Sequence, residues 1–313
     1  MQDGPGGDID KAAAQGWIDL SGAVNRRPWP GGANPAAGSQ GRLARAAADW
    51  LGCDPAQVVA VADARAAILR LPPGRAAVLA GSDASDASDA VRLRAAGWQV
   101  AQVAEIRDMV GADLAVVRNP DDADGREWRP EALSRLARQV GHLVLDESLA
   151  DPRPDLSLAP ALPANALILR DLFPFWGLRG LGLVLAHPAL LDRLSDRPPP
   201  DDTPPGGTAP DGTALALGAQ ALADRGWADQ TILYLAEAAL RLDRLAVAAG
   251  WRPAGGTHLF RLYDSGDAAA AQDQLARARI RLHRPAWPDC RLRLGIPADH
   301  AEWDRLSAAL REF

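Results

Sequence analysis

Leu167–Pro188 reads LILRDLFPFWGLRGLGLVLAHP. Two short apolar runs, Ala166–Arg170 and Leu181–Ala186, flank a middle rich in Gly, Pro and aromatic residues. Each run is brief, apolar and bounded by polar residues or Gly and Pro, the pattern of a buried strand.

The same punctuation recurs upstream. Ala76–Ala80, Leu114–Val117 and Leu143–Asp146 read as further buried strands. Between them Gln40–Leu51, Ser85–Ala96, Arg129–Val140 and Pro188–Leu194 carry helical patterns, and Pro130 suits a first helical turn. Strand–helix alternation predicts an α/β fold: a mostly parallel sheet covered on both faces. Ser195–Thr213 (SDRPPPDDTPPGGTAPDGT) is too rich in Pro, Gly and Asp to build a core and reads as a loop. Beyond it the pattern predicts one long helix over about Ala214–Ala249, capped by Gly250. A strand over Thr257–Tyr263, a helix over Ala268–Ala278, a strand over Arg291–Ile296 and a last helix from Asp299 to Leu310 complete the chain. This tail implies a second, smaller α/β domain.

The chain has 313 residues, 48% hydrophobic and 24% charged, as expected for a globular protein. Its net charge of −6, with no long basic run, argues against nucleic acid and against an anionic membrane surface. Cys53 and Cys290 form no CxxC pair, and the five histidines are scattered, so no metal motif is present. The cysteine usage fits a reducing cytoplasm. Met1–Gly16 is polar and acidic, unlike a signal peptide, and no apolar run reaches about 18 residues. Almost all basic charge is arginine; Lys11 is the single lysine.

Six segments carry a family resemblance in their shared order: Trp17–Asn25 (WIDLSGAVN), Arg118–Arg126 (RNPDDADGR), Leu143–Asp151 (LVLDESLAD), Leu167–Pro188, Gly255–Leu262 (GGTHLFRL) and Cys290–Pro297 (CRLRLGIP). Together they resemble class I/II aminotransferase-fold proteins that use pyridoxal 5'-phosphate (PLP). Within these the chain is most similar to the threonine-phosphate decarboxylase branch of cobalamin biosynthesis. The resemblance implies PLP fold-type I: a mainly parallel seven-stranded sheet in a three-layer sandwich, with a smaller α/β C-terminal domain. It divides the chain into an N-terminal segment (1–39) joining the small domain, a large cofactor-type domain (40–195), the Pro/Gly/Asp-rich loop (196–213), and a long helix with the small domain (214–313). A cytoplasmic homodimer is also implied.

PLP chemistry needs a lysine for the Schiff base, an anion at the pyridine nitrogen, phosphate donors, a stacking ring and an arginine for the substrate carboxylate. By resemblance Pro174 stands at the lysine position, so no catalytic residue is assigned. Asp171 and Gly182 replace the serine and arginine of the phosphate site, and Ala64 replaces a hydroxyl donor. Ala84 replaces the stacking ring, and Asp122 replaces the asparagine at the ring oxygen. Asp146 is retained as the pyridinium partner, Arg293 as the carboxylate-binding arginine, and Asn25 as a further substrate contact. Trp29, Trp176 and Trp287 are expected near the cleft or in packing.

Three functions remain open on these residues. The first is a pseudoenzyme with a non-catalytic role in cobalamin biosynthesis, as a partner of a corrinoid-pathway enzyme, with no bound cofactor expected. The second is an active PLP-dependent decarboxylase or aminotransferase with a rebuilt site. The third is a binding module in which Arg65, Arg179 and Arg293 serve a small anionic ligand.

Overall fold

The computed structural model describes residues 16–31, 38–79, 84–196, 209–285 and 290–313, with backbone alone over 84–88. Lys11, Trp287, most of the Pro-rich loop and the side chain of Ala84 lie outside what is described.

Seven strands form the main sheet: β2 (Val58–Val61), β3 (Arg75–Leu79), β4 (Gln99–Val103), β5 (Leu114–Arg118), β6 (His142–Asp146), β7 (Ala166–Asp171) and β8 (Gly182–Ala186). Their order is β2-β8-β7-β6-β5-β3-β4. All neighbouring pairs are parallel except those of β8, which runs antiparallel to both β7 and β2. The α/β class and the mainly parallel seven-stranded sheet are as expected.

Strand periodicity explains the three layers. Alternate residues of one strand face opposite sides of a sheet. Ala115, Val117, Leu143, Leu145, Ile168, Leu183 and Leu185 belong to one apolar cluster, with Leu43 and Leu51 of α1 (Gln40–Leu51) and Leu133 and Leu136 of α3 (Pro130–Ala137). Leu114, Val116, Val144, Leu167, Leu169 and Val184 belong to the other, with Leu93 of α2 (Ala84–Ala95) and Leu190 and Leu194 of α5 (Pro188–Ser195). Central strands buried on both faces read as continuous apolar runs, which is why β5 to β8 are visible in the sequence.

The edge strands β2 and β4 were not anticipated. Their burial alternates or is mostly exposed, so their sequences VVAV and QVAQV carry no buried-strand signal. A second correction concerns the long helix. It is two helices, α6 (Gly212–Ala223) and α7 (Arg225–Ala248), broken at Asp224, whose side chain caps α7 by accepting from the Trp227 N–H. Helix α6 also begins inside the stretch expected to be loop.

The C-terminal residues form an antiparallel sheet of order β12-β10-β9 (Arg291–Gly295, Phe260–Asp264, Arg252–Gly256) with α8 (Ala268–Arg277) and α9 (His300–Leu310). Two residues near the N-terminus, β1 (Ile18–Asp19), pair in parallel with β11 (Ile280–Arg281). The expected strand over 257–263 starts later, at Phe260, because Gly255 and Gly256 belong to β9. These glycines have φ of +153° and +120°, and the Gly256 N–H donates to the Asp124 carbonyl at 2.7 Å. A Cβ on Gly125 would lie 2.3 Å from the Gly256 backbone, so only glycine lets the 121–126 loop dock on β9.

Helix α4 (Phe173–Trp176) sits at the centre of the packing. Trp176 is fully buried, 5.2 Å from the Trp50 ring and 5.0 Å from Phe175, both edge-on, and 5.3 Å from Trp227. It packs in the core, while Trp29 binds Asp224 through its indole N–H. The neighbours of Trp176 belong to three separate helices and cannot all close onto a void. Trp176→Ala is expected to lower unfolding free energy by about 3–5 kcal/mol, read from urea midpoints at constant slope.

Candidate cofactor cleft

In parallel sheets a crevice opens beyond the carboxyl ends of the strands. Here that edge presents Arg118 from β5, Asp146 from β6 and Asp171 from β7, with Arg118 and Asp146 in direct register. A cavity of about 380 Å³ lies over them. Its lining includes Arg65, Asp122, Ser148, Pro174 and Arg293.

Each of these is fixed by local structure. Arg65 is carried by a 3-10 helix, Ala64–Arg70, whose N-cap Asp63 accepts from the Arg65 N–H at 2.9 Å. Asp171 Oδ1 accepts from the Phe173 N–H at 2.9 Å, starting the turn that presents Pro174. Asn25 does not line the cavity. Its N–H donates to the Pro174 carbonyl at 2.7 Å and its Nδ2 to the Phe175 carbonyl at 3.0 Å, so it staples the N-terminal segment to α4.

Charges alternate through the site. Arg65 Nη2 meets Asp146 Oδ2 at 2.6 Å and Arg65 Nη1 reaches Asp89 Oδ1 at 3.5 Å. Arg118 Nη2 meets Asp89 Oδ2 at 2.7 Å, and Arg118 Nη1 meets Asp122 Oδ1 at 3.0 Å. The other Asp146 oxygen accepts from both the hydroxyl and the N–H of Ser148, and the Ser148 hydroxyl accepts from the Asp171 N–H at 2.9 Å. Burial alone would raise the Asp146 pKa; Arg65, Arg118 and the Ser148 bonds outweigh it and hold the carboxyl below its ordinary range. Arg293 donates to the carbonyls of Asp122 at 2.8 Å and Ser21 at 3.1 Å.

The structure therefore gathers Pro174, Asp146, Asp122, Asp171 and Arg293 around one cavity. Ala64 and Gly182 meet just outside it: a Cβ on Gly182 would lie 3.2 Å from the Ala64 Cβ and 2.9 Å from the Arg170 carbonyl. Of the three arginines expected to serve an anion, Arg65 and Arg293 line the cavity, Arg65 already engaged by carboxylates, whereas Arg179 stacks over the Phe173 ring at 3.8 Å, outside the lining. Sequence reasoning missed Arg118, Asp89 and Ser148. Arg118 lay in view within RNPDDADGR, flanked by acidic residues, whereas Asp89 is brought in by α2 with no motif to mark it.

Asp121, beside the cleft, is buried (2% exposed), and burial pushes its carboxyl up to about 6, helped by Asp122 and Asp124. Its unfolded value is about 3.9. The folded state then holds a proton that the unfolded state loses first, so this contribution is present below about pH 4 and is lost as pH rises through about 6. Asp121→Asn keeps an acceptor for the Ala123 N–H and removes the titration. Against wild type it is expected to be more stable by on the order of 2 kcal/mol at pH 7.5 and to converge at pH 4, measured by urea unfolding across that range.

No protein-family model matches the chain. Over 320 aligned positions, 95% of this chain and 92% of the relative, it is 34% identical to threonine-phosphate decarboxylase of Pseudomonas aeruginosa. Its fold matches histidinol-phosphate aminotransferase from Sinorhizobium meliloti, solved in complex with pyridoxal-5'-phosphate, with a TM-score of 0.78, 22% identity and coverage of 100% of this chain and 94% of that one. It also matches L-threonine-O-3-phosphate decarboxylase from Porphyromonas gingivalis (TM-score 0.69, 17% identity, 95% and 99% covered). By sequence similarity along nearly its whole length, the chain belongs to the threonine-phosphate decarboxylase family, on an aminotransferase fold.

Proposed function

We propose that this chain is a non-catalytic member of its family. It keeps the scaffold, does not form the covalent cofactor link, and serves cobalamin biosynthesis by binding rather than by turnover. A homodimer assembled as in related enzymes is part of this reading.

The observation that carries it is Pro174 in the wall of the cleft, where family resemblance puts the Schiff-base lysine. Proline offers no amine, and among the described residues no lining side chain carries a primary amine. The other contacts that PLP requires fare no better. Asp146, the expected partner of the ring nitrogen, already holds the Arg65 guanidinium. Asp122, at the ring-oxygen position, accepts from Arg118, and an ionised carboxylate has no proton to donate. A Cβ at Gly182 would lie 2.9 Å from the Arg170 carbonyl and 3.2 Å from the Ala64 Cβ, so the arginine of the family pattern would need the backbone there to shift. Asp171 adds negative charge where a phosphate dianion would sit, and like charges about 4 Å apart cost on the order of 1 kcal/mol even in water. The residues present do not fit PLP.

Purified protein mixed with PLP is expected to stay colourless in the visible internal-aldimine band. Borohydride reduction followed by mass spectrometry should find no pyridoxyl group, and L-threonine O-3-phosphate should not be decarboxylated. A pyridoxyl adduct accompanied by turnover defeats the proposal in favour of a rebuilt active site.

A further inference from the structure

We propose that Arg65 is a built-in substitute for the ring cation of the cofactor: its guanidinium sits on Asp146 and completes the cleft with no coenzyme in it. The inference deepens the non-catalytic reading and rests on it, because a covalently tethered ring would compete for the same carboxylate.

Asp146 is 6% exposed at the end of a central strand. A carboxylate taken out of water without a cation is strongly unfavourable, and its neutral neighbour Ser148 supplies hydrogen bonds but no charge. The counter-cation comes from within the chain, at 2.6 Å, from a residue 81 positions away. It is not a swinging surface arginine. Its backbone N–H is held by the N-cap Asp63, and its second nitrogen reaches Asp89.

Asp89 is in turn gripped by Arg118, and Arg118 by Asp122. The result is an alternating row, Asp146–Arg65–Asp89–Arg118–Asp122, that spans the 3-10 helix, α2, β5, β6 and the 121–126 loop. Those elements border a cofactor cleft, and the row links them without a ligand. Ala64, the residue before Arg65, is buried against β8 beside Gly182, so the 3-10 helix has settled onto the sheet. Backbone packing and the ion pair thus place Arg65 together.

The test uses pyridoxine, which has the ring nitrogen but no aldehyde and so cannot form an imine with any amine. Its control is 3-hydroxybenzyl alcohol, a comparable ring without the nitrogen. Arg65→Ala in the full-length chain should lower the melting temperature by about 5 °C, since it removes the cation in contact with Asp146 and leaves it the more distant charge of Arg118. Millimolar pyridoxine should restore part of that loss; the control should restore none. Wild type should not respond to pyridoxine, and neither should Arg65→Ala/Asp146→Asn, whose loss should be smaller than the sum of the two single changes. If Arg65→Ala cannot be purified, the double variant still should be, because it leaves no lone buried charge.

The proposal is overturned if pyridoxine stabilises wild type as much as the variant, if Arg65→Ala melts with wild type, or if the two changes simply add. It is equally overturned if Arg65→Ala is destabilised yet pyridoxine and its control act alike, which marks an ordinary ion pair. None of these outcomes involves borohydride trapping or turnover, so this inference and the non-catalytic reading fail separately.

Discussion

One buried carboxylate governs the cleft. Asp146 terminates a strand covered on both faces, and its side chain has little water to solvate it. Neutralising it by protonation would leave Ser148 and Arg65 with a poorer acceptor. Neutralising it by a cation lets both Asp146 oxygens work, one for Ser148 and one for Arg65. The second solution is the one observed. Because Arg65 is itself about one-third exposed, the pair is screened on one side, and its contribution falls below the 3–5 kcal/mol typical of breaking a fully buried pair. Its consequence is positional: the 3-10 helix, α2 and the sheet edge are held in mutual register by charges that alternate in sign.

The adjacent residue does the opposite job. Successive side chains at the end of a strand point to opposite faces, so Asp146 faces the cleft while Glu147 turns into the core. There Arg170 meets Glu147 at 2.8 Å and Asp151 at 2.9 Å, all three nearly inaccessible. Ser157 and the Leu158 N–H satisfy Glu147, and the Trp50 indole N–H donates to the same Asp151 oxygen that Arg170 holds. This network ties β7, the loop after β6 and α1 together beneath the cleft. It makes no use of a ligand, so the scaffold beneath the cleft is held together by the chain's own side chains.

Central strands and their helices were legible because burial on both faces writes a continuous apolar run. The edge strands β2 and β4 were not, since half-exposed positions tolerate Gln and Ala without pattern. The break at Asp224 was hidden because aspartate fits an exposed helix turn as readily as a cap; only the position of Trp227 and its N–H decides between them. Among site residues, Asp146, Pro174, Asp122, Asp171 and Arg293 could be brought to one place because motif order fixes strand ends. The role of Arg65 could not. In sequence it stood beside Asp63, as a charge offered to an incoming anion; in space it faces Asp146 from 81 residues away. Side-chain pairing across such a distance depends on helix placement to within an ångström or two, which no local pattern encodes.

On the non-catalytic reading proposed above, mass action favours an internal cation over a coenzyme that nothing tethers. A ligand stabilises a fold only in proportion to the logarithm of its free concentration over its dissociation constant, so a weakly held coenzyme would leave Asp146 bare much of the time. A side chain attached to the same polypeptide acts at an effective concentration of about millimolar or more, independent of supply. Held by Asp63 at its backbone and by Asp89 at its second nitrogen, Arg65 loses little further freedom on meeting Asp146. On that reading proline at position 174 and arginine at position 65 are mutually consistent: Pro174 offers a ring cation no anchor, and with the guanidinium in place Asp146 has no need of one.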